Sequence, residues 1–144
     1  MNITDIDPET LPVVEGDMLE IMFKSQWEGE MKYRAVEGKN GYFPDIKPDY
    51  PLDIHQPDVQ WLLKDASQRI IEELCEATNL LKNKQWKNTQ VKVDVEHFNE
   101  EMADAFKFFL RLLAIIWGEH APRILFEMYR RKTTVTDFRL DTNY

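Results

Sequence analysis

The chain has 144 residues, 43% of them hydrophobic and 12% aromatic, so it is long enough for one domain with a buried core and is not expected to be disordered. Its formal net charge of −8 argues against polymeric nucleic acid or an anionic membrane as a partner, whereas small charged ligands fit a locally basic or metal-loaded site. The single cysteine, Cys75, excludes an intrachain disulfide framework, and because MNITDIDPET does not have the basic and then apolar pattern of a signal peptide, we expect a cytoplasmic protein.

The first part of the chain predicts one helix followed by a long loop. Asp17 suits the N-cap of a helix over residues 17–38, and Gly38 is expected to end it. Residues 39–56 contain three of the seven prolines and therefore predict a loop, since proline cannot continue a regular helix. A loop of this length is uncommon inside a compact domain, which suggests that it has a function.

The middle of the chain predicts a pair of helices. Residues 57–117 contain both, and Pro57 is well suited to the first turn of the earlier one because a missing N–H costs nothing there. We expect this helix to end near Lys84 and the following one to end at Gly118.

The last part of the chain predicts a further helix and a tail. Within residues 121–144, Pro122 is expected to open the helix, and TTVTDFRLDTNY is expected to follow it without regular structure. The longest apolar run, FFLRLLAIIWG, is too short to cross a bilayer. Since no segment alternates with period two, residues 1–144 are predicted to form a single all-α domain, a four-to-five-helix bundle.

Two acidic pairs recur on the predicted helix pair. Glu73 and Glu76 lie beside one apolar stripe, and Glu101 and Asp104 lie beside a similar stripe on the next helix. Because residues three apart point the same way on a helix, antiparallel packing would bring all four carboxylates to one seam. Four such charges repel one another strongly without a cation, and an all-oxygen cluster suits Mg²⁺, with Mn²⁺ as the alternative.

Two other interpretations compete with a metal site of this kind. Most acids on helices are solvated surface groups, and a single ExxE predicts nothing more, but two phased pairs on neighbouring helices favour the metal. A di-iron bundle requires Glu-x-x-His on two helices, whereas His97 precedes Glu101 and the remaining histidines lie in predicted loops.

These motifs resemble those of the all-α nucleotide pyrophosphohydrolase superfamily, which comprises dimeric dUTPases, phage dCTPase/dUTPases and MazG-like enzymes. The shared signature is ExxE followed by ExxD, here Glu73-Leu-Cys-Glu76 and Glu101-Met-Ala-Asp104. MLEIMFKSQ, KQWK and the ending KTTVTDFRLDTNY add similarity to the phage branch. The resemblance implies an enzyme that hydrolyses a deoxynucleoside triphosphate to the monophosphate and pyrophosphate, with dUTP or dCTP favoured, in the host cytoplasm if the chain is encoded by a phage.

The resemblance also implies roles for individual residues. The four acids would hold the metal ion and serve catalysis, one of them as proton acceptor. Phosphate, sugar and base contacts are expected from a second group of side chains: Gln26, Trp86, Lys87, Lys132, Arg139 and Tyr144.

The C-terminal motif departs from the family pattern in ways that leave the base undecided. Thr133 and Thr136 stand where that ending usually has Asn, Leu140 where it has Gln, and Asn143 where it has Gly. A purine dNTP or a broad substrate range, as in MazG-like relatives, is therefore an alternative, and a non-catalytic helical module that binds nucleotides or a protein is another. Because the third helix is apolar nearly all round after Ala105, we also expect a homodimer or homotetramer.

Overall fold

The described part of the chain is helical throughout its regular structure. A computed structural model describes residues 6–39 and 52–142, and within these ranges there are four α-helices, two single 3₁₀ turns and no strand. The helices are α1 (Met18–Lys39), α2 (Pro57–Asn79), α3 (Val95–Trp117) and α4 (Ala121–Asp141). The prediction of an all-α chain is confirmed, and within these ranges no helix combines the length and apolar character that crossing a membrane requires.

The helix starts agree with the capping residues. A side-chain oxygen of Asp17 accepts the backbone N–H of Glu20 at 3.0 Å, and Asp94 accepts that of His97 at the same distance. Each bond satisfies one of the N–H groups that the first turn of a helix leaves without a partner. Pro57 occupies the first position of α2, as the sequence predicts.

The ends of two elements differ from the predictions. α2 ends at Asn79 and not near Lys84, because the chain turns at Leu80 and the Asn83 side chain then pairs with the backbone of Val91. The expected non-helical tail is also wrong, since α4 continues to Asp141.

The continuation of α4 has a local cause. Between Pro122 and the end of the helix the chain contains neither glycine nor proline. The hydroxyls of Thr133, Thr134 and Thr136 donate to carbonyl oxygens one turn earlier at 3.0 to 3.1 Å, so they do not compete with the helical backbone.

α3 is the central helix of the fold. It contacts the other three, and its most extensive interface is with α2. One buried cluster joins α1, α3 and α4 through Phe23, Leu110, Leu113, Ala114 and Ala121, and a second joins α3 to the start of α2. Burying a leucine or phenylalanine of this kind contributes about 1.5–3 kcal/mol. α4 packs only through its first turns, because every residue from 128 to 142 is exposed.

The segment that precedes α2 is tied to the end of α3. The N–H of Leu52 donates to the carbonyl oxygen of Ile115 at 3.2 Å, and the Leu52 side chain is buried beside it. α3 ends at Trp117 and is capped by Gly118, as predicted, where φ is +58°, a backbone conformation that favours glycine. Residues 40–51, most of the predicted loop, lie outside the described ranges.

Candidate metal and substrate site

Three of the four predicted acids lie together. Glu73 on α2 and Glu101 and Asp104 on α3 each offer a carboxylate oxygen, and these oxygens lie within 4.8 Å of one another. Glu101 is buried, and the other two are half-buried. Glu76 is exposed and does not belong to this group of three, so its role as a fourth ligand stays a prediction.

The electrostatics of the cluster follow from this crowding. The pKa of Glu73 is raised to about 7 by burial, by a hydrogen bond with Glu101, and by repulsion from Glu101, Asp104 and Glu76. One extra positive charge would relieve this repulsion, and so would one proton. The three oxygens are therefore a donor set that fits a hard divalent cation.

Two side chains on α3 partner the acids. Nε2 of His97 lies 2.6 Å from Oε1 of Glu101, one helical turn away, and Nζ of Lys107 lies 3.5 Å from Oδ1 of Asp104. The contact of His97 with Glu101 was not predicted from the sequence, where His97 was weighed only as a metal ligand. The signal that identifies the pair is their spacing of four residues on one helix.

A cavity of about 290 Å³ opens beside the acids. Its lining combines two of the acids with aromatic, amide and cationic groups from α1 and α3: Gln26, Tyr33, Glu73, Asp104, Lys107 and Phe108. Gln26 thus lines the same cavity as two of the carboxylates, and its role as a substrate contact stays a prediction. Tyr33 was missed, although its spacing of seven residues from Gln26 places both on one face of α1.

Four of the five other predicted substrate contacts lie outside the lining of this cavity. Trp86 and Lys87 are exposed in the connection between α2 and α3, which Asn83 closes by two hydrogen bonds to Val91. Lys132 and Arg139 are exposed on α4 and do not line the cavity beside the acids. Tyr144 lies outside the described residues.

A larger cavity of about 510 Å³ lies at a different place, between α1 and the junction of α3 with α4. Phe23, Trp27 and Pro122 contribute to its wall, and none of the clustered acids does. Of these two cavities, the smaller one is the candidate site because it borders the carboxylates and the larger one does not. Size alone is a weaker criterion than convergent polar groups with a perturbed pKa.

Comparison with family models, with curated proteins and with solved structures finds no match to this chain.

Proposed function

We propose that this protein is a divalent-metal-dependent nucleoside triphosphate diphosphohydrolase of the all-α nucleotide pyrophosphohydrolase type, which converts a deoxynucleoside triphosphate and water to the monophosphate and pyrophosphate. The single observation that carries the proposal is the meeting of Glu73, Glu101 and Asp104 within 4.8 Å at the edge of a cavity. Such a cluster places negative charge where a cation and a polyphosphate would be held together.

Mg²⁺ is the proposed cofactor, with Mn²⁺ as a substitute. Glu73, Glu101 and Asp104 would hold it, and Glu76 is proposed as a further ligand from the next turn of α2. The raised pKa of Glu73 supports this fit, because a carboxylate that retains a proton near pH 7 gains from a neighbouring cation. When bound, the ion supplies positive charge to the phosphate oxygens and makes water more acidic.

The side chains of the site have separate tasks in this proposal. His97 orients Glu101 through the 2.6 Å contact, leaving the second carboxylate oxygen available. One carboxylate accepts the proton that the attacking water loses. Lys107 places a cation at the cavity wall, where it offsets phosphate charge.

The cavity suits a planar ring with polar edges. The rings of Tyr33 and Phe108 offer flat apolar surfaces, and the Gln26 amide offers both a donor and an acceptor. We propose a pyrimidine dNTP, dUTP or dCTP, as the favoured substrate. Trp86, Lys87, Lys132, Arg139 and Tyr144 remain proposed contacts that come from the resemblance.

A second copy of the chain is the proposed macromolecular partner. Met102, Phe106 and Phe109 follow one face of α3 at helical spacing and are each about two-fifths exposed in the single chain. Burying such a face between two copies would remove apolar surface from water, as a homodimer does.

Pyrophosphate release from the four canonical dNTPs and dUTP in Mg²⁺ tests the proposal. We expect release from dUTP or dCTP, and loss of at least about 100-fold in Glu101→Gln, because removing a ligand affects metal-dependent catalysis more than removing a supporting group does. Glu100→Gln is the matched control, since Glu100 is the exposed neighbour on the same helix.

The same assay separates the alternatives. Preference for dGTP or dATP, or similar release from every substrate, would identify a MazG-like enzyme. Negligible release from all substrates, with nucleotide binding that survives Glu101→Gln, would identify a non-catalytic binding module and refute the proposed activity.

A further inference from the structure

A network of ion pairs, buried at its centre and half-buried elsewhere, lies next to the candidate site and joins three helices. Its members are Glu30, Arg34 and Glu37 on α1, Asp65 and Arg69 on α2, and Arg111 on α3. Three acids and three arginines balance in charge, so the network is neutral as a whole. None of its members is among the acids of the candidate site.

Arg111 is the residue that ties α1 to α3. Its Nε donates to Oε2 of Glu30 at 2.6 Å, and its Nη2 donates to Oε2 of Glu37 at 3.2 Å. The side chains of Arg111 and Glu30 are only 2% exposed. Burial lowers the pKa of Arg111, but the two carboxylates outweigh this effect and raise its pKa above the ordinary value.

Glu37 extends the connection to α2. Its other oxygen, Oε1, lies 3.1 Å from Nη2 of Arg69, whose Nε lies 3.0 Å from Asp65. A single carboxylate of α1 therefore binds an arginine from each of the two helices that carry the acids of the site. This arrangement fixes where α1 lies against the pair formed by α2 and α3.

The same two arginines contact the aromatic rings of the cavity. The guanidinium carbon of Arg111 lies 4.9 Å from the centre of the Tyr33 ring, and that of Arg69 lies 5.9 Å from the centre of the Phe108 ring. Both rings line the cavity beside Glu73 and Asp104. Cation–π attraction at such distances favours one placement of the ring over others.

The acids of the site and part of the cavity wall come from different helices. The three clustered acids come from α2 and α3, which share the most extensive interface, whereas Gln26 and Tyr33 come from α1. A change in the position of α1 would therefore alter the cavity wall and leave the acids in place.

We propose that Arg111 is a positioning residue that, through Glu30 and Glu37, sets α1 and its cavity residues Gln26 and Tyr33 against the carboxylates of α2 and α3. The inference rests on the proposed function, because it assigns to α1 the recognition of the nucleotide. Lysine cannot replace Arg111 in this role, since one ammonium group does not reproduce the planar fork that reaches two carboxylates and faces a ring.

The test compares Arg111→Lys with Arg123→Lys, which makes the same replacement at an arginine that is 83% exposed on α4. Two affinities are measured for each variant: that for Mn²⁺ alone, and that for a non-hydrolysable α,β-imido dNTP analogue in the presence of Mn²⁺. The analogue is that of the dNTP preferred in the pyrophosphate assay, or of dUTP if there is no preference. For Arg111→Lys we expect the analogue to bind at least about fivefold more weakly while Mn²⁺ affinity changes by less than about twofold, because only the α1 side of the cavity is disturbed. KM should rise in parallel, with kcat little changed.

Amide hydrogen exchange supplies a measurement that needs no ligand. In Arg111→Lys we expect faster exchange in α1, around residues 26–37, while α2 and α3 keep their protection. Glu37→Gln keeps the size of the side chain while it removes the charge between Arg111 and Arg69, and it should give the same pattern if Arg111→Lys fails to fold.

The outcomes are distinguishable. The positioning role is overturned if Arg111→Lys binds the analogue as well as Arg123→Lys does. It is also overturned if Arg111→Lys loses Mn²⁺ and analogue affinity in parallel and exchanges faster in all helices. If the wild type binds neither metal nor nucleotide, the proposed function fails. In that case the amide exchange of Arg111→Lys alone tests whether Arg111 positions α1. Faster exchange confined to α1 supports this role, and unchanged exchange refutes it.

Discussion

Nε2 of His97 lies 2.6 Å from Oε1 of Glu101, and the two side chains are one turn apart on α3. Glu101 is the most buried of the three clustered acids, whereas the His97 side chain is about half exposed. A histidine in this position donates a hydrogen bond to one carboxylate oxygen and thereby fixes the orientation of the other. In the proposed site, His97 would therefore act on the metal ion through Glu101.

We expect His97→Ala to weaken Mn²⁺ binding by about 10-fold or more, because groups that orient a metal ligand typically account for roughly 10–100-fold in affinity. His97→Gln keeps a donor at a similar position and should recover part of the loss. Calorimetric titration of the metal-free protein with Mn²⁺ measures both variants.

His120→Ala is the control for this experiment, since the His120 side chain is 68% exposed and lies 3.8 Å from Glu119, outside the cluster. Its Mn²⁺ affinity should equal that of the wild type. If His97→Ala also binds Mn²⁺ like the wild type, the contact with Glu101 does not support metal binding.

The pKa of Glu73 predicts how the metal-free protein responds to pH. This carboxyl has a pKa of about 7 in the folded protein against an ordinary value of 4.5, so between these values the folded state retains a proton that the unfolded state has lost. Stability from this group is complete below pH 4.5, falls as pH rises, and is lost above about pH 7. Urea unfolding in EDTA at about pH 5 and about pH 8 should show the decrease, and Glu73→Gln should reduce it.

Metal binding should have the opposite pH dependence, because a divalent ion competes with the proton on Glu73. We expect Mn²⁺ affinity to rise by up to about tenfold per pH unit below pH 7 and then to level off. Glu72→Gln, at the exposed neighbour of Glu73, should leave both pH profiles as they are in the wild type. A Mn²⁺ affinity that is constant between about pH 5 and pH 8 would contradict the assignment of Glu73 as a ligand.

The features that sequence analysis predicted correctly depend on local rules. Asp17 and Gly118 mark helix ends because capping is decided within a few residues. Helical spacing predicted a meeting of four acids, and two similar helices that pack side by side bring three of them together, Glu73, Glu101 and Asp104.

The features that could not be predicted from the sequence depend on contacts between distant parts of the chain. Arg111 and Glu30 are 81 positions apart, and no periodicity links an arginine inside an apolar run to an acid on α1. The end of α2 depends on the pairing of Asn83 with Val91 across a loop, which helix propensity does not describe. Which residues form such pairs depends on how the helices pack in three dimensions.

Removing Arg111 should destabilise the protein strongly. Arg111→Met leaves the Glu30 carboxylate in a buried position without its 2.6 Å partner, and we expect a loss of about 3–5 kcal/mol in the free energy of unfolding. Arg131→Met removes a partner from Glu127 in an exposed pair on α4, and its cost should be far smaller because water screens the two charges. Urea denaturation measures both, and similar costs for the two variants would contradict a structural role for the buried pair of Arg111 and Glu30.

If the exposed apolar face of α3 forms a homodimer interface, one charged substitution on this face should disrupt the dimer. Phe106 is 43% exposed in one chain, so Phe106→Glu should cost a monomer little. In a homodimer that buries this face, the same change places a charge in an apolar interface and should shift the mass measured by light scattering toward the 17.2 kDa of one chain. Asn99→Glu, at another exposed position of α3, should leave the mass unchanged, and a monomeric wild type would refute the interface.

Asn83 holds the connection between α2 and α3 in a closed loop, which contains two of the proposed substrate contacts. Its Nδ2 donates to the carbonyl oxygen of Val91 at 2.9 Å, and its Oδ1 accepts the Val91 N–H at 2.7 Å. The closed loop between them contains Trp86 and Lys87, and Nζ of Lys84 lies 5.4 Å from the centre of the Trp86 ring. Asn83→Ala removes both hydrogen bonds and frees this loop.

A freed loop must be ordered again when substrate binds, and that entropy cost appears in KM. We expect KM to rise about fivefold in Asn83→Ala, because two exposed hydrogen bonds contribute roughly 1 kcal/mol together, and kcat should stay within about twofold because the acids are untouched. Asn88→Ala, at an exposed position of the same loop, controls for the loss of an amide. Equal KM values for the two variants would show that Trp86 and Lys87 do not contact the substrate from a loop held by Asn83.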